Sequence, residues 1–555
     1  MESGATEMRP ECMDLLEREY EDDPATKTNS SNVRVVKAGQ YRAGSKQRRP
    51  KDGGRSAIVK QLLAAGFACF SSVSIGFITA YTALTLPQLR NDTSIGTLQE
   101  KDESMIASVP SIASIGGSLM GGFIMDALGP RMTLLVTALP CLLSWGFIAF
   151  ANSVALIYAG RIITGIFLGI FSPVPQLYAT EIAQPQIRGL LGAFPEAAVA
   201  FGSLLCYAFG AVMDWRWLAV VAALVPGIPL FLSMIVFPES PQWLTKKAKL
   251  DKAEKSLRFF RKGSHNVKAE VDSIHTNILE NDGTELSMWQ QVKLFKKPQN
   301  WKPVLLVFLV FMCGQFSGFG VITAYTADIF NAAGTNLDAN LQTIIMGVVR
   351  FLSTILSAVL LDRVGRKPLL IISAIGSSVG MLCVGIFFYL KSNGSAEGLG
   401  LLPLTSMLIY VFFNELGYGP IPWLLSGELI PLSVRTIGNG VAVTAYSLFA
   451  FIINATFPML TSLVHTYVVF WMYAVFSLSG VFLGMYLPET RGKTLEEIGQ
   501  FFLPKKQNSP RRKTAIPKMG HPPKNGLYPK LGPPPKNGLS LNWVSLNWVS
   551  LKWVS

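Results

Sequence analysis

Apolar runs of about twenty residues, parted by short polar turns, recur along most of this chain and leave few folds open. A helix needs about 20 apolar residues to cross the hydrocarbon layer of a bilayer. Twelve runs qualify, near 62–86, 104–126, 132–151, 154–178, 190–212, 216–237, 303–330, 340–361, 369–390, 402–426, 437–458 and 466–487. The expectation is an all-α membrane protein of twelve transmembrane helices. Composition agrees, because half of the 555 residues are hydrophobic and only 15% are charged. The first run begins after about sixty polar residues, too far from Met1 for the core of a cleavable signal peptide.

Basic residues set the orientation. Lys37, Arg42, Lys46, Arg48, Arg49, Lys51, Arg55 and Lys60 precede the first run, and the loop 238–302 is rich in Lys. Lys and Arg concentrate on the cytoplasmic side of membrane proteins, so both termini and that loop are expected there. The formal charge of +14 then reflects topology and is not read as nucleic-acid binding. The sequons at Asn91 and Asn393 fall in outer loops, where N-glycosylation is expected. Asn29 lies inside, and Asn454 lies within a run. Five of the six cysteines, Cys69, Cys141, Cys206, Cys313 and Cys383, sit in runs without metal spacing. No metal, cofactor or enzymatic constellation is expected. Residues 1–55 are too polar for a core, and 504–555 is low-complexity, repeating Pro-Pro-Lys-Asn-Gly-Leu and then Ser-Leu-Asn-Trp-Val.

An internal repeat divides the chain. Asp126-Ala-Leu-Gly-Pro-Arg131 closes the second run and Asp362-Arg-Val-Gly-Arg-Lys367 the eighth. Glu181 and Arg188 follow the fourth, and Glu428 and Arg435 follow the tenth at the same spacing. Pro238-Glu-Ser-Pro241 follows the sixth and Pro488-Glu-Thr-Arg491 the twelfth. The organisation expected is a tail (1–60), a six-helix half (61–237), a central loop (238–302), a second half (303–487) and a second tail (488–555). Parallel six-span repeats suit a rocking transporter with a midplane site between its halves.

Two runs carry opposite charges at similar depth. Glu196 stands about 12 Å from Arg188 and Arg350 about 18 Å from Asp362, at about 1.5 Å per residue. Ionisable groups at midplane are costly and mark a substrate or ion pathway. The pair is either a structural salt bridge or part of a solvated cavity; the cavity is preferred. At the cytoplasmic ends, Asp126, Arg131, Glu181, Arg188 and Glu239, with Asp362, Arg363, Arg366, Glu428, Arg435 and Glu489, form a candidate gate. Gly116, Gly117, Gly121, Gly122, Gly165 and Gly169 are read as close helix packing. Pro173, Pro175, Pro195, Pro420 and Pro422 are read as helix breaks.

Residues 60–500 resemble the sugar porters of the major facilitator superfamily, most closely the insect facilitated trehalose transporter group. The resemblance rests on the repeats above with Gly160-Arg161, Gln315-Phe-Ser-Gly318, Gly419-Pro-Ile-Pro-Trp423 and Pro488-Glu-Thr-Arg-Gly-Lys-Thr-Leu-Glu-Glu497. It implies a plasma-membrane carrier that moves a small polar solute, a sugar, by alternating access. It also implies sugar contacts at Gln315, Glu415 and Trp423, to which Glu196 and Arg350 are added. Several positions depart from the family: Gly314 for Gln, Gly320 for Asn, Glu196 for Gln, Arg350 for Asn and Tyr446-Ser447 for Asn-Trp. Pro130 and Gln242 stand where the gate usually has Arg. Ile78 replaces the Asp of proton-coupled members, which favours passive transport, with Glu196 as the carboxylate able to carry a proton. The alternatives are a proton-coupled sugar symporter and a transport-deficient nutrient receptor.

Overall fold

The computed structural model describes residues 53–184, 186–261, 267–282, 288–335, 337–493 and 495–502, and all regular structure among them is helical. The basic residues Lys37–Lys51, the Asn29 sequon and the repeat tail lie outside the described residues.

Among the described residues, eleven helices are long and apolar enough to cross a membrane. The remaining span, tenth in order, is broken into Leu402–Leu416 and Ile421–Leu429. Neither piece is a span alone. Pro420 and Pro422 lack the N–H groups a continuous helix would need. Breaks also divide the first span at Cys69, the fourth at Ser172-Pro173 and the seventh at Ser317-Gly318. Gly318 takes a left-handed φ of +97° there, and Tyr325 leaves helical geometry nine residues after the first piece of that span ends. The expected break at Pro195 is absent, since Arg188–Gly210 runs as one helix.

The spans pack with approximate two-fold symmetry. The second (Glu100–Leu128) lies on the fourth, as the eighth (Ala339–Val364) lies on the tenth. The third (Pro130–Ala149) lies on the sixth (Trp215–Val236), as the ninth (Arg366–Ser392) lies on the twelfth (Thr466–Tyr486). Contacts between halves obey the same symmetry: second with eleventh (Arg435–Leu463), fifth (Arg188–Gly210) with eighth, first with seventh.

Small residues permit the closest approach. A Cβ on Gly117 would lie 2.0 Å from the Ile166 carbonyl oxygen, and one on Gly169 would lie 2.1 Å from that of Ser114. Gly121 and Gly165 face the same seam, whereas Gly116 and Gly122 have open space beside them. The packing role read from sequence therefore applies to four of these six glycines.

The central loop is itself helical. Pro241–Lys246, Leu250–Phe260 and Val267–Asp282 belong to the first half. Gln61 Nε2 donates to the Phe260 carbonyl at 2.9 Å. Buried Arg261 donates to the Ile182 carbonyl at 2.8 Å. Val267 and Val271 pack on Leu257. The last loop helix, Met288–Leu294, joins the second half instead: Asn300 Nδ2 donates to the Leu294 carbonyl at 2.9 Å, and Leu294 and Phe295 pack on its core.

Candidate substrate site and gates

Arg350 sits midway along the eighth span with its guanidinium buried. Its Nε donates to Glu415 Oε1 at 2.8 Å, and its Nη1 donates to Ser203 Oγ of the fifth span at 3.0 Å. Thr354, one turn beyond Arg350, donates to Glu415 Oε2 at 3.3 Å. Phe319 lies beneath the guanidinium, 4.9 Å from ring centroid to Cζ. Glu415 lies in the last turn of the first piece of the tenth span and is 1% exposed. A Cβ on Gly419 would stand 2.8 Å from Glu415 Oε2, so only glycine there leaves the carboxylate its place.

This corrects the expected Glu196–Arg350 pair. Arg350 is neutralised by Glu415 within its own half. On the fifth span it reaches Ser203, seven residues beyond Glu196 and hence about 10 Å farther along the helix. Glu196 is half-buried, on the same face of the bundle interior, without that ion pair.

Beside this group lies an aromatic cluster. Trp423, half-buried on the second piece of the tenth span, meets Phe311 at 5.0 Å and Tyr446 at 5.1 Å between ring centroids. Gln315 follows Phe311 by one turn and is buried. Ser114 and Ser447 are hydrogen-bonded at 2.8 Å between the second and eleventh spans. The site residues read from sequence thus fall on facing spans at middle depth.

At the membrane face away from the central loop, Arg90 ties three spans together. It bonds Glu103 at 2.7 and 2.6 Å and Asp328 at 2.7 and 3.1 Å. Asp328 belongs to the second half, so this cluster joins the halves. Tyr207 adds a second tie, donating to the Thr323 carbonyl at 3.2 Å. Sequence reading missed Arg90, Glu103 and Asp328 because charges at span ends are ordinary; the signal available was Asp328 inside the apolar run 303–330. A cavity of about 510 Å³ opens beside them, lined by Arg90, Asn91, Asp328, Tyr325, Phe388 and Phe457.

At the loop face, the proposed gate charges bond within their own halves, in a device built twice. Glu239 accepts from the backbone N–H of Arg131 at 2.9 Å and of Met132 at 3.1 Å, closing the N-terminus of the third span. Glu489 accepts from Arg366 and Lys367, both at 3.1 Å, and closes the ninth likewise. A helix N-terminus leaves N–H groups unpaired and carries partial positive charge, so a carboxylate is well placed. Gly129 and Gly365 precede these termini at φ of +91° and +104°, and a Cβ on either would lie within 2.8 Å of the carboxylate. Burial pushes the Glu239 carboxyl above its ordinary value despite its N–H donors. Glu489 is also penalised by burial, but its backbone donors outweigh that and hold it below the ordinary value.

The other charges complete each cluster. Arg131 donates to the Met234 and Ile235 carbonyls, Asp126 pairs with Lys247 at 3.0 Å, and Glu181 accepts from the Ser240 hydroxyl. Arg366 pairs with Glu428 at 2.8 Å, Thr490 also donates to Glu428, and Arg435 donates to the Gly427 carbonyl. Glu428 and Arg435 therefore have separate partners. Arg188, Asp362 and Arg363 are exposed. The halves are tied at the far face and at midplane while the loop-face clusters stay internal to each half.

Known proteins resemble this chain in sequence and fold. The family model for sugar (and other) transporters matches residues 64–502. A facilitated trehalose transporter, Tret1, from Apis mellifera ligustica is 36% identical over 80% of this chain and 88% of its own. One from Culex quinquefasciatus is 37% identical over 79% of this chain and 85% of its own. Among solved structures, the major facilitator proton:xylose symporter XylE bound to 6-bromo-6-deoxy-D-glucose superposes with a TM-score of 0.66 at 27% identity, covering 80% of this chain and all of that one. The inward-open xylose transporter XylE from E. coli gives 0.67 at 26% identity, over 80% and 99%. With a family match across most of its length and relatives above 30% identity, this chain belongs to the sugar (and other) transporter family of the major facilitator fold.

Proposed function

We propose that the protein is a facilitative carrier that moves trehalose or a hexose across the plasma membrane by alternating access. The observation that carries this reading is a polar and aromatic group at middle depth, on facing spans of two halves that an ion pair joins at the far face. Gln315, Glu415, Trp423, Glu196 and Arg350 form the substrate site. Trp423 offers a flat partly open ring for a sugar face, and the neutral sum of Arg350 and Glu415 suits an uncharged solute. The loop face is cytoplasmic, in keeping with its basic residues, so the ties at Arg90 and Tyr207 close the outer side. The loop-face clusters form the cytoplasmic gate, rearranging when the inner side shuts. Asn91 and Asn393, both exposed at the far face, are glycosylation sites.

The test is uptake of labelled trehalose, glucose, fructose and polyols into transport-deficient cells. Trehalose or hexose uptake that persists when the proton gradient is collapsed is the expected result. Absence of uptake by surface-expressed protein overturns the reading in favour of a nutrient receptor. Trp423→Ala and Gln315→Ala should each lower uptake strongly without loss of surface protein. One observation favours proton coupling as a second reading: Glu196 is a half-buried midplane carboxylate that Arg350 leaves unpaired. Uptake that collapses with the gradient, and becomes gradient-independent in Glu196→Gln, would establish it.

A further inference from the structure

Asn454 lies on the eleventh span and its side chain is 6% exposed. Its Oδ1 is buried and accepts no hydrogen bond. An unmet amide oxygen at membrane depth is costly, because no water stands ready to replace the missing donor. The backbone around it is arranged with care. Pro458, four residues on, has no N–H to offer the Asn454 carbonyl, and the Tyr325 hydroxyl donates to that carbonyl at 3.1 Å instead. The backbone polar group is thereby satisfied and the side-chain oxygen is not.

The amide faces Gly320 of the seventh span. A Cβ built on Gly320 would stand 2.7 Å from Asn454 Oδ1 and 3.1 Å from Nδ2, so the glycine makes the room the amide occupies. Gly320 is half-buried and directly follows Phe319, the ring beneath Arg350. It lies five residues beyond Gln315, across the break at Gly318. The unpaired oxygen is therefore buried against Gly320, at the edge of the group described above.

We infer that Asn454 is a specificity-determining residue, whose Oδ1, seated beside Gly320, accepts a hydroxyl of the transported polyhydroxyl solute. The inference rests on the carrier reading. It assigns the eleventh span a direct part in recognition, in a place where the seventh span offers no side chain.

The test uses the full chain in proteoliposomes, with labelled trehalose and glucose as probes. Asn454→Gly should raise KM roughly five- to tenfold with little change in maximal rate, the loss of one neutral hydrogen bond. Gly320→Asn alone should crowd the amide and lower uptake. Gly320→Asn combined with Asn454→Gly moves the amide to the opposite helix and should recover most of the wild-type KM. An unchanged KM in Asn454→Gly while wild type transports, or a double variant no better than the worse single, overturns the inference and leaves the carrier reading intact. A second measurement needs no sugar. Asn454→Leu removes the unmet oxygen and should raise the melting temperature of the sugar-free protein, whereas a lower melting temperature would mean that the amide is structural and would equally overturn it.

Discussion

Arg350 and Glu415 form a buried ion pair, 2.8 Å from Nε to Oε1, between spans of the same half. A charge pair placed across the central interface would have to be broken and remade in every transport cycle. This one travels as a unit, and of its own contacts the Arg350–Ser203 hydrogen bond is the one that crosses between the halves. The pair therefore cancels charge at midplane without acting as a lock.

Removing one member should be far worse than removing both. Glu415→Gln alone strands a buried guanidinium, at a cost of about 3–5 kcal/mol for a broken buried pair. The expected result is loss of most surface protein. Glu415→Gln with Arg350→Gln should recover expression, measured by surface labelling. Equal expression of the single and double variants would contradict the pairing.

The Arg90–Asp328 contact closes the far face, so Asp328→Asn should favour the opposite opening. A half-exposed pair is worth up to about 1 kcal/mol, so the shift in population should be no more than about fivefold. Thr461→Cys in the adjacent cavity reports it through the rate of labelling by a membrane-impermeant maleimide. No change in rate would show that the tie does not govern that face.

Glu239 and Glu489 cap corresponding helices yet respond oppositely to pH. The Glu489 carboxyl is held below its ordinary 4.5. Its stabilising contribution is thus complete above that value and lost as the pH falls through the lower folded value. Glu239 keeps its proton to higher pH than in the unfolded chain, so its ionisation weighs against folding. Relative to wild type, Glu489→Gln should lose melting temperature as the pH rises from 4 to about 7, and Glu239→Gln should gain it. Parallel trends in thermal unfolding of the purified protein would contradict the assignment.

Packing between the second and fourth spans gives a sharper contrast. Gly169→Ala drives a methyl group to 2.1 Å from a carbonyl oxygen, whereas Gly122→Ala meets nothing within 4 Å. The first should destabilise by roughly 1–3 kcal/mol, as overpacking does, and the second should be silent in a detergent thermal-shift assay.

Span number, the repeat and the family were legible in the sequence because hydrophobic length and motif spacing are local properties. Among the described residues, eleven spans are long and apolar enough to cross a membrane, three of them with a break, and the tenth is recognisable from Pro420 and Pro422 even though its pieces are short. Partner choice was not legible. Glu196 and Glu415 both offered Arg350 a counter-charge, and which one lies beside it depends on helix rotation and register, set by packing over whole spans. The same holds for Glu428, which the repeat placed near Arg435 but whose carboxylate meets Arg366. Asn454 looked like an unusable sequon; its significance appears only once Gly320 is seen opposite.

The division of the central loop sets a leash. Its helices up to Asp282 are fastened to the first half and Met288–Leu294 to the second. Only six backbone steps separate Asp282 from Met288. Fully extended, they reach at most about 22 Å. However far the two halves swing apart on this face, these two anchor points cannot separate by more than that.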